Sequence, residues 1–224
     1  MIESEEQAKA YVQDLADDAA MERLERFIAL LAEENERQNL IARPSAPEVW
    51  RRHVADSAQL LAHVPREIVE ELAGTGGVWL DLGTGAGFPG MAIAILRPEW
   101  DIRLVESRRK RIDWLERVRG ELQLHRCSIL GGRRELVETV PASVISARAF
   151  APMPRLLDLS ARFSTERTLW LLPKGRSAAQ DLALLPESTR KLFHVEHSCT
   201  DSEAGIVVGQ LHRQFRARQV GRNK

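Results

Sequence analysis

The stretch Val78-Trp79-Leu80-Asp81-Leu82-Gly83-Thr84-Gly85-Ala86-Gly87-Phe88-Pro89-Gly90 sets a carboxylate at the end of a short apolar run and follows it with four glycines in eight residues. Glycine adopts positive φ without penalty and lets a ligand lie directly against the backbone. The start of a following helix presents unpaired N–H groups. A nucleotide-type ligand at the carboxyl edge of the first strand of an open α/β sheet is the expectation. Gly85 to Gly90 satisfies G-x-G-x-x-G, and Glu106 stands nineteen residues beyond Gly87, which fits a dinucleotide fingerprint. Two residues oppose that ligand: Asp81 would confront a pyrophosphate, and Pro89 has no N–H to offer one. S-adenosylmethionine removes both objections, because it carries no phosphate and bears sulfonium and ammonium charges. Asp81 near the ammonium is then favourable, and Glu106 at the end of the next strand would accept from both ribose hydroxyls. A methyltransferase of the Rossmann-like class is therefore expected, with a nicotinamide-dependent oxidoreductase as the competing reading.

The acceptor decides what else the site must contain. Methylation at carbon 5 of a pyrimidine needs a cysteine nucleophile, and neither Cys127 nor Cys199 follows a proline. Exocyclic amines are usually held by a loop of Asn-Pro-Pro-Tyr type. The corresponding stretch here is Ser146-Ala147-Arg148-Ala149-Phe150-Ala151-Pro152, which offers an arginine but no amide or carboxylate. Guanine N7 has a free lone pair at neutral pH and loses no proton on methylation, so positioning and electrostatics suffice without a general base. Arg148 would donate to guanine O6 or face the cofactor carboxylate as a bidentate pair. A small-molecule methyltransferase on the same fold is a third reading.

Other candidates surround this turn. His53 and Asp56 stand three apart and share one helix face. Lys174 precedes Gly175 just past a strand end, positioned for a phosphate or base. The run Arg108-Arg109-Lys110-Arg111 opens the helix after Glu106 and is a candidate RNA contact. His194 and His197 have no third ligand nearby, so no metal is expected. Trp50, Trp79, Trp100, Trp114 and Trp170 are scattered through the chain and read as core or lid.

The chain of 224 residues has 44 % hydrophobic and 29 % charged residues and a formal net charge of zero, which excludes a disordered or fibrous chain. Charge is unevenly placed. Residues 1–36 are acidic and the last fourteen are basic, which permits a local nucleic-acid footprint on a neutral protein. The longest uncharged stretch, Leu82 to Leu96, is too short and too rich in glycine for a membrane span. No secretory signal is read at the N-terminus, and a cytoplasmic location is expected.

The elements that must position these residues can be read from periodicity. Met21, Leu24, Ile28 and Leu31 mark one helix face, Trp50, Val54, Ala58 and Leu61 a second, and Glu67 to Ala73 a third, with no strand before residue 76. Strand candidates are Val78–Leu80, Ile102–Val105, Ser128–Leu130, Ser143–Ser146, Thr168–Leu172, Leu192–Ser198 and Gly205–Leu211, with helical stretches between most of them. This alternation indicates a mostly parallel sheet of βαβ units. The last two strands are joined by Thr200-Asp201-Ser202-Glu203, too short for a helix, so they are expected as an antiparallel hairpin at one end of the sheet. Three regions follow: an N-terminal helical region packed on the core (1–75), a methyltransferase domain (76–212) and a basic tail (213–224).

The residues also resemble a family. Leu80–Gly90, Val105-Glu106-Ser107-Arg108-Arg109-Lys110-Arg111, Arg148-Ala149-Phe150-Ala151 and Leu172-Pro173-Lys174-Gly175, with Asn39-Leu40 and His53-Val54-Ala55-Asp56-Ser57 upstream, resemble the bacterial small-subunit ribosomal RNA guanine-N7 methyltransferases, the glucose-inhibited division protein B family. The resemblance runs from about Leu24 to Gly209. It implies a Rossmann-like fold, S-adenosylmethionine as cofactor, and N7 of a guanine in a decoding-region loop of 16S rRNA as acceptor, in free rRNA or in the small subunit. It implies that Gly83 and Phe88 border the cofactor, that Glu106 takes its ribose and that Arg148 lines the reaction site; the glycine-rich turn and the end of the second strand add Asp81, Gly85, Gly87 and Ser107 to the expected cofactor contacts. His53, Arg108, Arg109, Lys110, Arg111 and Lys174 would meet RNA. Arg133 and Arg134 fall where the family has a residue pair beside the adenine. The family more often has an apolar or small residue followed by an acid there, whereas here two arginines precede Glu135.

Overall fold

The computed structural model describes residues 1–74, 76–132 and 139–211. Arg133, Arg134 and the basic tail lie outside the described residues. Each of the seven strand candidates forms a strand: β1 (Val78–Leu82), β2 (Asp101–Glu106), β3 (Cys127–Gly131), β4 (Ala142–Ser146), β5 (Ser164–Gly175), β6 (Phe193–His197) and β7 (Gly205–Gln210). They form a sheet ordered β3-β2-β1-β4-β5-β7-β6. The first five strands pair in parallel. Strand β7 runs antiparallel to both β5 and β6, so the expected hairpin exists, with β7 inserted and β6 at the edge. The strand order reverses between β1 and β4, which opens a crevice at their carboxyl ends.

Side chains alternate across the sheet, and the two faces build two cores. Trp79, Ile102, Leu104, Val144, Leu169 and Leu171 point to one face. Leu80, Leu82, Val105, Ile145, Trp170 and Leu172 point to the other. On the first face lie α5 (Gly90–Leu96) and α6 (Arg109–Glu121), together with the N-terminal helices α1 (Glu5–Gln13), α2 (Asp18–Gln38) and α4 (Arg66–Ala73), all contributing to one apolar cluster. Helices α7 (Met153–Ser160) and α8 (Ala178–Ala183) cover the second face.

Helix α2 buries Ala20, Met21, Leu24, Phe27, Leu30 and Leu31 along one stripe. Asp17 caps its start by accepting from the Ala20 N–H at 2.7 Å, and Asn39 ends it in the left-handed region at φ 42°. The second helix face read from the sequence is not a uniform α-helix. Residues 43–63 run through 3-10 turns, a π-turn at Trp50–Ala55 and a short α turn, α3 (Asp56–Ala58), with Pro44 and Pro47 in its opening turns. This irregular run turns His53 and Asp56 toward the crevice.

Candidate active site

Strand β1 delivers the chain into a turn whose glycines take left-handed conformations, φ 69° at Gly83, 60° at Gly85 and 113° at Gly87. At Gly83 the constraint is also steric: a Cβ there would overlap the ring of Phe150. Asp81 is fully buried under this turn. Its Oδ2 accepts the Gly90 N–H at 3.1 Å and its Oδ1 accepts the Ser146 hydroxyl at 2.7 Å, while Ser146 accepts from Trp79 Nε1 at 2.9 Å. Burial pushes the Asp81 carboxyl above the ordinary carboxylate range. The first N–H of α5 is thus already bound to a carboxylate of the protein, where a phosphate-binding fold would leave it for the ligand.

One crevice cavity, about 740 Å3, is bordered by Leu40, Gly83, Gly85, Phe88, Glu106 and Ser107, among others. The Glu106 carboxylate accepts from Gly85 N at 3.2 Å through Oε2, and from Ser107 N at 2.6 Å and Arg108 N at 2.9 Å through Oε1. A carboxylate has about four acceptor positions, so one remains for a hydroxyl in the cavity. Arg111 closes the opposite side by donating to the carbonyls of Asn39 at 3.2 Å and Leu40 at 3.5 Å.

A second cavity, about 930 Å3, adjoins the first, and the two share Ala42, His53, Arg148, Ala149 and Phe150 as walls. Arg148 sits at this junction. It donates to the Arg52 carbonyl at 3.2 Å, pairs with Asp56 at 3.5 Å, and meets His53 Nδ1 at 3.0 Å. Its guanidinium lies 5.3 Å from the Phe88 ring centroid, and the His53 ring stacks on the same ring at 5.1 Å. Burial, then the charges of Arg148 and Arg52, pushes the His53 ring down to about 3. The imidazole is therefore neutral and accepts from Arg148, while Nε2 contacts the Ser45 hydroxyl at 2.9 Å. Asp56 is further held by Thr200 at 3.0 Å and Gln59 at 2.9 Å.

The structure brings Gly83, Gly85, Phe88, Glu106, Ser107, Arg108, Arg111, His53 and Arg148 onto cavity walls. Others are placed differently from the expectation. Asp81 does not face the cavity, because both its oxygens order the turn. Gly87 packs against Phe27 and Met91, where a Cβ would come within about 3.1 Å of each. Arg109 points outward to Asp113 at 3.0 Å, and Lys110 is exposed away from both cavities. Lys174 lines the second cavity, but its ammonium is already engaged: its side chain is 6 % exposed, paired with Asp181 at 3.0 Å and donating to the Ala151 carbonyl at 2.8 Å. The expected pair Arg133 and Arg134 lies outside the described residues. Asp56, expected as a candidate beside His53, borders the second cavity, and Phe150 and the segment Leu40–Ala42 border the cavities without an expected role of their own. Among the described residues no group of His, Cys, Asp and Glu is placed to hold a metal, and no helix is long and apolar enough to cross a membrane.

The fold is that of the class of Rossmann-like S-adenosylmethionine-dependent methyltransferases. The structure resembles a putative caffeoyl-CoA O-methyltransferase from Staphylococcus aureus at a TM-score of 0.54 and 11 % identity, over 82 % of this chain and 92 % of that one. It also resembles a mutant of MtNAS in complex with S-adenosylmethionine at a TM-score of 0.53 and 16 % identity, over 84 % and 74 % of the two chains. Within that class the chain belongs to the rRNA small subunit methyltransferase G family, GidB, which matches residues 20–206. Proteins named ribosomal RNA small subunit methyltransferase G from Erythrobacter litoralis and Novosphingobium aromaticivorans are 56 % and 51 % identical to it. These alignments span 94 % and 93 % of this chain and 98 % and 89 % of theirs.

Proposed function

We propose that this protein methylates N7 of a guanine in a decoding-region loop of 16S rRNA, using S-adenosylmethionine. The observation that carries the reading is the junction of two cavities at Arg148, in a chain of the small-subunit rRNA methyltransferase G family. The first cavity suits the methyl donor. Its volume is that of a cofactor site, Glu106 keeps an acceptor position for a ribose hydroxyl, and Gly85 leaves the backbone open to close approach, while Gly83 makes room for the Phe150 ring. Asp81 acts from beneath by ordering the turn and capping α5, which leaves no free helix N-terminus for a diphosphate. When bound, the donor supplies an electrophilic methyl group on a sulfonium.

The second cavity receives the base. The N7 lone pair forms the new N–C bond as the C–S bond breaks, its electron pair passing to sulfur. No proton leaves the base, so no general base is needed, and the neutral His53 is a support for Arg148. Arg148 donates to guanine O6 or to the donor's carboxylate, and in either role its direction is fixed by His53, Asp56 and the Arg52 carbonyl. Arg108, on the wall of the first cavity, and Arg109 and Lys110, exposed on the outer side of the start of α6, are assigned to RNA phosphates, which predicts a steep loss of RNA affinity with salt. The partner is rRNA, free or in the small subunit, and the reaction is cytoplasmic. Incubation of small ribosomal subunits or bare 16S rRNA with the protein and donor, followed by nucleoside mass spectrometry, should yield 7-methylguanosine. Methyl incorporation on another atom, or none on either substrate, refutes the reading.

A further inference from the structure

The geometry points to Phe150 as the stacking platform that fixes the plane of the acceptor base. This rests on the proposed N7 methylation. The N7 lone pair lies in the plane of the purine, so in-line attack requires that plane to contain the breaking bond. A hydrogen bond from Arg148 can set the base's rotation within its plane but not the plane itself. A ring face can set the plane, and base–aromatic stacking is the usual means of holding an unstacked nucleotide.

Among the described residues lining the second cavity, Phe150 is the one phenylalanine, tyrosine or tryptophan. It is half-buried and borders both cavities, so a base lying on it has an edge at the donor. Its approach is built into the turn: the ring rests where a Cβ of residue 83 would be, which only glycine permits. Ala149 takes φ 50°, a strained value for a non-glycine residue, and this kink presents Arg148 and Phe150 to the same junction. Lys174 holds the next carbonyl, that of Ala151, at 2.8 Å and is itself anchored by Asp181. The loop carrying the ring is thus pinned on both sides. Phe88 is not available for this task. It is 2 % exposed and covered by His53, Arg148 and Phe27.

The test compares Phe150→Leu with Phe150→Tyr on whichever rRNA substrate the wild type methylates. S-adenosylhomocysteine affinity is measured by calorimetry on the same preparations. Phe150→Leu should lose roughly ten- to hundredfold in kcat/KM for RNA, the range for one base–aromatic stack. Phe150→Tyr should stay within about threefold, and both should keep S-adenosylhomocysteine affinity within about threefold. Leucine equal to wild type, tyrosine falling with leucine, or methylation and S-adenosylhomocysteine affinity falling in step would each overturn the assignment. If Phe150→Leu does not fold, as read from its melting transition, Phe150→Met is measured with the same criteria. A wild type without methylation activity refutes the proposed function instead.

Discussion

Gly83→Ala tests the turn at its most constrained point. Residue 83 is held at φ 69°, where an L side chain costs about 1–2 kcal/mol, and its new methyl would overlap the Phe150 ring. Forced overpacking costs a further ~1–3 kcal/mol, but half-buried Phe150 can swing aside toward the cavities. The net loss should be about 2–3 kcal/mol, with the ring displaced into the space a ligand needs. For a chain of this size that corresponds to a melting midpoint lower by roughly 5–10 °C, and S-adenosylmethionine affinity should fall by an order of magnitude or more. The decisive assay is a double-mutant cycle in urea. Phe150→Ala removes the obstacle while leaving the φ term, so Gly83→Ala should cost at least ~1 kcal/mol less in the Phe150→Ala background. Additivity within about 0.5 kcal/mol would mean that the two residues do not press on each other and that the turn is shaped by something else.

Three further outcomes follow from the same contacts. Asp81→Ala orphans the Gly90 N–H and the Ser146 hydroxyl and should destabilise by about 2–4 kcal/mol; Asp81→Asn, whose Oδ1 still accepts the Gly90 N–H but whose Nδ2 can only donate to Ser146 Oγ, should keep part of that stability, as measured by urea midpoints. Glu5 of α1 accepts the Trp50 and Arg51 N–H groups at 2.9 and 2.8 Å, capping a turn that has no side-chain cap of its own, so Glu5→Ala should lower stability by about 1–2 kcal/mol at unchanged urea slope. His53 is held neutral down to about 3, against 6.5 for the free ring. The unfolded chain binds a proton that the folded one refuses, so this contribution is full above 6.5 and falls with pH by up to about 1.4 kcal/mol per unit down to about 3. His53→Gln should therefore flatten the stability profile between pH 7 and pH 5, and an unchanged slope would mean that the ring is not buried beside Arg148 and Arg52.

The centre of the sheet was legible because strands such as Val78–Leu82 and Ala142–Ser146 are apolar runs buried on both faces, with few alternatives once bounded by turn residues. The glycine turn was legible for the same local reason. What could not be read were side-chain destinations set by long-range packing. Arg148 finds His53 and Asp56 more than ninety residues away, and nothing near Lys174 in sequence announces that Asp181 and Ala151 will bury it. The run Arg108–Arg111 looks like one basic patch on paper. A helix turns about 100° per residue, so Arg109 is sent outward to Asp113 while Arg111 is sent inward to the Asn39 and Leu40 carbonyls. Asp81 looked like a ligand contact because a strand-end carboxylate beside glycines is the expected place for one. Its capture by the Gly90 N–H depends on how closely α5 returns to β1, where a Cβ on Gly90 would lie 2.7 Å from that of Asp81.

Calorimetric titration of the wild-type protein with S-adenosylmethionine and, in parallel, with NADH tests the crevice most directly. Micromolar binding of the sulfonium donor, weakened by Gly83→Ala, is expected, with no detectable heat from the dinucleotide. Binding of NADH with none of S-adenosylmethionine would contradict it.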